Sequence, residues 1–374
     1  MLPRLKALTC VAEGSRVVVS VDPLKRVELT DPTGSVLALL RLLAEGTRDA
    51  AGLAAELTAT GAAVTIEEVQ ASLDSLDELG WLEDAAAESL LTEHERERHF
   101  SNLGFFEGFT SLSRSRESIQ ARLRASHVLV LGVGGLGSAA AQNLVGLGVG
   151  RLTLLDYDTV ELRNFARQFL YSAAQIGRPK VELAAQWVRA FDPDVRVTAL
   201  QREVTGPETV APLLAGVDFV IQAIDTPAEV DLWVNAACVG AGVPFVRGGL
   251  GHLQGVYWSV DPGRSACRQC LDSYRTRAAA EDEVQTWQPI IERETFNRGI
   301  GPVATMLGSL MAMEALRYLT GILAPVAAGT YQLIDFSSDC HISTERWPRD
   351  PHCPVCAGLV PGRHAQAPAQ EPAR

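Results

Sequence analysis

Val128-Leu129-Val130-Leu131-Gly132-Val133-Gly134-Gly135-Leu136-Gly137-Ser138 is the stretch from which the rest of the chain is read. Its apolar start predicts a buried strand over His127–Leu131, and the residues after the glycines predict a helix over Ser138–Leu147. Gly132, Gly134, Gly135 and Gly137 lack side chains that would keep phosphate oxygens away from the backbone. The helix N-terminus adds unpaired N–H groups and the positive end of its dipole. This strand–glycine–helix order predicts a nucleotide site at the carboxyl edge of a parallel sheet. A glycine-rich turn kept only for packing is the competing reading.

Outward from this point the chain alternates. Strands are expected over Arg151–Asp156, Val195–Leu200 and Asp218–Ala223, with a long helix over Pro179–Ala190. That rhythm predicts an α/β fold, a Rossmann-like, mainly parallel sheet covered by helices, continuing less regularly from Val256 to Asp335. Asp156, ending the second strand, is placed to accept hydrogen bonds from ribose hydroxyls. The residues after it separate ATP from a dinucleotide. Asp156-Tyr157-Asp158-Thr159-Val160-Glu161-Leu162-Arg163-Asn164-Phe165-Ala166-Arg167-Gln168 is followed by Ile176-Gly177-Arg178-Pro179-Lys180. Cations such as Arg167 and Lys180 suit a triphosphate, whose α-phosphate and pyrophosphate gain charge as the bond breaks, and a dehydrogenase has no need of them. Asp225, beyond the strand Asp218–Ala223, is the natural magnesium ligand.

Seven cysteines include two C-x-x-C pairs, Cys267/Cys270 and Cys353/Cys356, separated by 82 intervening residues. Four thiolates from two such knuckles predict a closed, tetrahedral, structural Zn2+ site that staples the C-terminal segment to its domain. A redox-active pair is the competing reading. Cys238, in an apolar helix over Val234–Val239, reads as core, and Cys340 as an unpaired cysteine near the surface.

At 374 residues, two domains are the expectation. Residues 1–86 read as a small winged-helix-like α+β domain. Strands are expected over Ser15–Val21 and Arg26–Thr30, and helices over Val36–Ala44 and Ala50–Thr58. A third helix opens on Thr65, and a short strand at Trp81-Leu82 closes the domain. Residues 87–124 read as a charged helical linker, 125–360 as the nucleotide domain and 361–374 as a disordered Pro/Ala/Gln-rich tail. A net charge of −12 argues against a nucleic-acid partner. No apolar run reaches bilayer length and no signal peptide is apparent, so a cytoplasmic protein without membrane association is expected.

Together, GVGGLGS (132–138), the segment 154–170, IGRPK (176–180) and the paired C-x-x-C motifs resemble the ThiF/MoeB/ubiquitin-activating-enzyme superfamily over about residues 90–357. The resemblance implies that Asp156 binds ribose, with Asp158 in the nucleotide-binding set. It implies that Asn164, Arg167 and Lys180 act on the phosphates and that Asp225 holds Mg2+. The implied chemistry is attack of a C-terminal carboxylate on the ATP α-phosphate, giving an acyl-adenylate and pyrophosphate. It also implies a homodimer, in which an arginine reaches into the partner subunit's site. Arg98-His99-Phe100-Ser101-Asn102-Leu103 keeps the first arginine of that motif and has Ser101 in place of the second, so either Arg98 or its neighbour Arg96 takes the role or catalysis is weakened. Asp225-Thr226 stands where the family has Asp-Asn, and the arginine that often follows is missing.

Leu271–Leu307 has no cysteine, which removes a thioester intermediate. The front module, through Asp22–Arg26, Thr33-Gly34 and Leu79-Gly80-Trp81-Leu82, resembles PqqD-like leader-peptide recognition domains. Such modules add an extended peptide to a strand edge. The two halves are similar to MccB-type enzymes, which adenylate the C-terminus of a ribosomally made precursor peptide. That peptide or a small protein, and a downstream modifying enzyme, are the implied partners. Two alternatives stand beside it. One is a ThiF-like leader-binding partner of an azole-forming cyclodehydratase, and the other a MoeB/ThiF-type sulfur-carrier adenylyltransferase.

Overall fold

Residues 1–22, 25–251, 253–281 and 299–359 are described by the computed structural model, in two units, Met1–Ala121 and a second beginning at Arg122. Pro23, part of the cysteine-free stretch 271–307 and the tail 361–374 lie outside the described residues.

The first unit opens with β1 (Pro3–Leu5), β2 (Thr9–Glu13), β3 (Arg16–Asp22) and β4 (Lys25–Thr30). Helices α1 (Ser35–Glu45), α2 (Ala50–Ala59) and α3 (Ile66–Glu78) follow, then β5 (Leu82–Asp84). β2, β3 and β4 form an antiparallel sheet in that order, while β1 pairs with β5. Val17 and Val19 alternate inward from β3 onto Leu40, Leu43, Leu53, Leu73 and Trp81. α3 begins on the expected Thr65, which forms a capping box: Glu68 N–H donates to Thr65 Oγ1 (3.2 Å) and Thr65 N–H to Glu68 Oε2 (2.8 Å). β1 and β2 were not expected. Every residue of β2 is exposed, so it has no alternating burial signal and exists by pairing with β3 across the turn at Gly14. The charged segment after Asp84 forms α4 (Glu93–Arg98) and α5 (Phe100–Glu107), and α6 (Arg116–Ala125) leads into the second unit.

The second unit runs β6 (His127–Leu131), α7 (Gly135–Gly146), β7 (Arg151–Leu155), α8 (Lys180–Phe191), β8 (Arg196–Leu200), α9 (Pro207–Val210), β9 (Phe219–Gln222), α10 (Val230–Ala241), β10 (Phe245–Leu250) and β11 (Gln254–Val260). It continues with α11 (Arg268–Glu281), α12 (Gly301–Thr320), β12 (Thr330–Asp335) and β13 (Ile342–Arg346). Eight strands make one sheet in the order β13-β12-β11-β10-β9-β6-β7-β8. The five from β10 to β8 are parallel and the other three antiparallel. All of β6 is buried, as expected of a central strand flanked on both sides. The chain leaves β6 towards β7 on one side and returns as β9 on the other. The carboxyl end of β6 is therefore the switch point of the sheet, where a crevice opens between diverging connections. α7 starts at Gly135, three residues before the expected Ser138. Glycine is a poor helix former, which hid this first turn from a propensity reading.

Candidate active site and four-cysteine centre

The glycine loop is shaped partly by its neighbours and partly by open space. Gly132 sits at φ 84°, and a Cβ there would lie 2.9 Å from the Ala223 carbonyl oxygen. A Cβ on Gly137 would lie 1.8 Å from the Gly132 carbonyl oxygen, so the turn closes only with glycine at that position. Gly134 and Gly135 have no such conflict: their nearest neighbours would be Gln168 Nε2 at 3.6 Å and Arg167 Cγ at 3.3 Å. Gly134 caps α7 without any side-chain hydrogen bond, so the first turn of the helix keeps N–H groups for an anion.

Asp156 ties this loop to the end of β7. Its Oδ2 accepts from Val133 N–H (2.7 Å) and its Oδ1 from Asp158 N–H (2.8 Å). Burial pushes its pKa up, and the two backbone donors pull it back. Lys180, the first residue of α8 and only 4% exposed, donates through Nζ to Asp158 Oδ2 at 2.7 Å. The strip from Asp158 to Val160 is zipped to Arg178–Lys180 by backbone hydrogen bonds, which fixes that pair. Asn164 is buried, accepts Glu161 N–H on Oδ1 (2.9 Å), and offers its carbonyl to Arg167 and Gln168 N–H (3.0 Å each). That turn lays the stem of Arg167 beside Gly135, and among the described residues no carboxylate pairs with its guanidinium. Asp225 is exposed, three residues past the end of β9.

The structure thus brings Gly132, Gly134, Gly135, Gly137, Asp156, Asp158, Asn164, Arg167 and Lys180 to one edge of the sheet, with Asp225 beyond the neighbouring strand. Arg98 ends α4 in the first unit. Arg96, the other candidate for the role of the arginine that Ser101 replaces, donates within that unit to Ser89 Oγ (2.6 Å) and the Leu91 carbonyl (2.8 Å). The sequence reading passed over Gln168, although it lies inside the quoted segment. Gln168 is 3% exposed, stands against Gly134, and leaves its Oε1 without a hydrogen-bond partner. An orphaned acceptor beside uncapped helix N–H groups fits a site completed by a polar ligand. Tyr171, whose hydroxyl donates to the Val133 carbonyl (2.7 Å), and the pair Asp231–Arg247 were also missed.

Cys267, Cys270, Cys353 and Cys356 are buried together, their sulfurs all within 4.8 Å of one another. The Cys267–Cys270, Cys267–Cys353 and Cys270–Cys356 separations are 3.8, 3.6 and 3.4 Å. Four sulfurs at about 2.3 Å from a tetrahedral zinc stand about 3.8 Å apart, so the set suits that ion. Asp350 N–H points at Cys270 Sγ (3.4 Å) and the Trp347 indole N–H donates to the Cys267 carbonyl (3.1 Å), which orients the knuckle. Cys270 does precede most of a helix, as a redox pair would, but the second knuckle closes over it. Cys238 is fully buried and its thiol is pushed well up, and Cys340 is exposed, both as expected.

A glycine loop at a sheet switch point, with the Arg167 stem beside it, Lys180 on Asp158 nearby and a four-cysteine staple, defines a nucleotide-handling α/β protein. The model of the ThiF family matches residues 109–355, and the chain belongs to that family, within the ubiquitin-activating-like class of adenylyltransferases. The molybdopterin-synthase adenylyltransferase of Escherichia coli (strain K12) is 35% identical over 242 residues, covering 63% of this chain and 89% of that protein. Protein HesA of Nostoc sp. (strain PCC 7120 / SAG 25.82 / UTEX 2576) is 31% identical over 256 residues, covering 68% of this chain and 94% of its own. Among solved structures, E. coli MccB with succinimide is similar at a TM-score of 0.73 and 18% identity, covering 96% of this chain and 100% of that one. MccB with ATP gives 0.71 and 18% over 95% and 99%.

Proposed function

We propose that this chain adenylates the C-terminus of a ribosomally made precursor peptide held by its N-terminal unit. The observation that carries this reading is the reach of the two kinds of likeness. The sequence relatives cover 63–68% of the chain and the family model begins at residue 109, whereas the fold likeness to MccB covers 96% of the chain and so extends over the N-terminal unit as well. In that unit β2 and β4 are the outer strands of the sheet, and an outer strand can accept an extended peptide through main-chain hydrogen bonds.

In this reading the first turn of α7 and Gly134–Gly135 take phosphate oxygens, Gln168 Oε1 gains a donor from the ligand, and Asp156 receives the ribose. Asn164 positions Arg167, and Arg167 and Lys180 stabilise charge on the α-phosphate and pyrophosphate. Mg2+ held by Asp225 would supply further neutralisation of that charge. A peptide carboxylate oxygen bonds to the α-phosphorus while the bond to the β-phosphate bridging oxygen breaks and pyrophosphate leaves. A carboxylate needs no base for this. Cys238 is buried with a neutral thiol, which suits a route without an enzyme thioester. Zn2+ on the four cysteines is structural, and Arg98 serves the second site of a cytoplasmic homodimer.

Activation of a sulfur-carrier protein is the second reading, favoured by the likeness to the molybdopterin-synthase and ThiS adenylyltransferases of E. coli. Pyrophosphate exchange into ATP decides between them. Exchange is expected only with the cognate peptide, and Asp225→Ala is expected to abolish it while peptide binding persists. Tight peptide binding with no exchange in the wild-type protein would overturn adenylation in favour of a leader-binding partner. Exchange driven by a carrier protein ending in Gly-Gly would support the second reading.

A further inference from the structure

Asp225 is exposed, and its recorded side-chain contact is with the Thr226 hydroxyl (3.3 Å). Its position therefore depends on the backbone that leads to it. Gln222, the last residue of β9 and fully buried, holds that backbone with one side chain. Its Oε1 accepts Ile224 N–H (2.7 Å), and its Nε2 donates to the Ile224 carbonyl (3.1 Å). Because Ile224 N–H can only donate, the orientation of the Gln222 amide follows. Nε2 donates a second time, to Asp231 Oδ1 (3.0 Å), and the same oxygen accepts Arg247 Nε at 2.9 Å.

Arg247 and Asp231 are 14% and 18% exposed, and Arg247 stands opposite Gln222 in the β9–β10 register. Its guanidinium also bonds the Gly248 carbonyl and occupies the space over Gly249, where a Cβ would lie 2.9 Å from Nη1. The clamped turn reaches the other half of the site too. A Cβ on Gly132 would lie 2.9 Å from the Ala223 carbonyl oxygen and 3.2 Å from Ile224 Cγ1. Ala223–Ile224 is thus a wall shared by the glycine loop and the approach to Asp225. A half-buried ion pair adds little stability over apolar packing, and a device that holds one backbone geometry is a better account of its presence.

We propose that Arg247, Asp231 and Gln222 are positioning residues that fix the turn carrying Asp225, and so set how tightly a divalent cation is held with the nucleotide. This rests on the assignment of Asp225 as the cation-binding residue. The chain from Arg247 to Asp225 runs guanidinium to carboxylate, carboxylate to amide, and amide to both backbone groups of Ile224. Removing the guanidinium frees the Asp231 carboxylate to turn outward, and Gln222 Nε2 loses one of its two acceptors.

The test is calorimetric ATP binding by the full chain across a Mg2+ series, together with amide exchange at Ile224. Wild-type protein is expected to bind ATP more tightly as Mg2+ rises, and Asp225→Asn to lose that dependence. Arg247→Met is expected to need about tenfold more Mg2+ for the same effect, with a smaller loss of affinity in the absence of Mg2+ and faster exchange at Ile224. Arg247→Lys should restore part of the shift, and adding Asp231→Asn to Arg247→Met should cost little more, because the two act in one chain. Where Arg247→Met does not fold, Asp231→Asn carries the same expectation. An Mg2+ response and Ile224 exchange identical to wild type in a folded variant overturn the proposal alone. Wild-type affinity that ignores Mg2+ overturns the assignment of Asp225, and the proposal with it.

Discussion

Gly135→Ala separates a phosphate-binding loop from a turn kept for packing. At the first position of α7, alanine gains up to about 1 kcal/mol of helix propensity over glycine. The new methyl would meet Arg167 Cγ at 3.3 Å and the Ala304 Cβ at 3.4 Å, contacts relieved by a few tenths of an ångström of movement. That repacking costs on the order of 1 kcal/mol, so the net change in stability is small. A melting shift within about 2–4 °C is expected for a unit of this size. If the loop holds phosphate as proposed, nucleotide binding should suffer more, because the methyl would stand between backbone and phosphate and would displace the Arg167 stem. Losing one charge-assisted hydrogen bond, about 1.5–3 kcal/mol, weakens ATP binding by about 10- to 150-fold. Gly137→Ala is the contrast. Its methyl would lie 1.8 Å from the Gly132 carbonyl oxygen, so the loop must move, at a cost above about 4 kcal/mol and with loss of folded protein. Calorimetry with ATP and a thermal melt on each variant make the comparison. Folded Gly135→Ala protein with wild-type ATP affinity would refute the phosphate role of the loop.

Metal analysis of the purified chain should find about one zinc per chain, and chelation should lower the melting temperature; folded protein free of metal would sink the four-thiolate site. Alkylation of the native protein should modify the exposed Cys10 and Cys340 and spare Cys238 and the clustered four until metal is withdrawn or the chain unfolds. His127 donates from Nδ1 to the Gly216 carbonyl (3.0 Å) and accepts the Thr153 hydroxyl on Nε2 (2.9 Å), and burial holds its pKa below the usual value. Its depressed folded pKa means the unfolded chain takes up the proton first. The stability it contributes is present above about pH 6.5 and is lost as pH falls below that value. Denaturant midpoints between pH 7.5 and 5.5 should fall less steeply in His127→Gln, and equal slopes would count against this account.

Much of both units was legible because the signals are local. The buried strand His127–Leu131 and the cap Thr65–Glu68 are written in residues a few positions apart, and both were found where expected. The start of α7 was misplaced because propensity penalises the glycines that a phosphate-binding first turn needs. β2 was missed because an exposed strand has no periodic burial to read. Gln168 lay in plain view beside Arg167, but only its burial and its unpartnered Oε1 single it out. Asp231 and Arg247 carry no motif at all, and the second is 16 residues from the first.

Residue type and short spacing therefore determined the strand–glycine–helix unit, the cations that follow it, the two C-x-x-C knuckles and the family. Those features depend on backbone geometry over one or two turns, which neighbouring residues dictate. Only the tertiary structure decided that Asp158 takes Lys180 and that the turn before Asp225 is clamped from β10. Those pairings join residues that sheet order makes adjacent, and sheet order is set by burial of the whole core rather than by any segment in it.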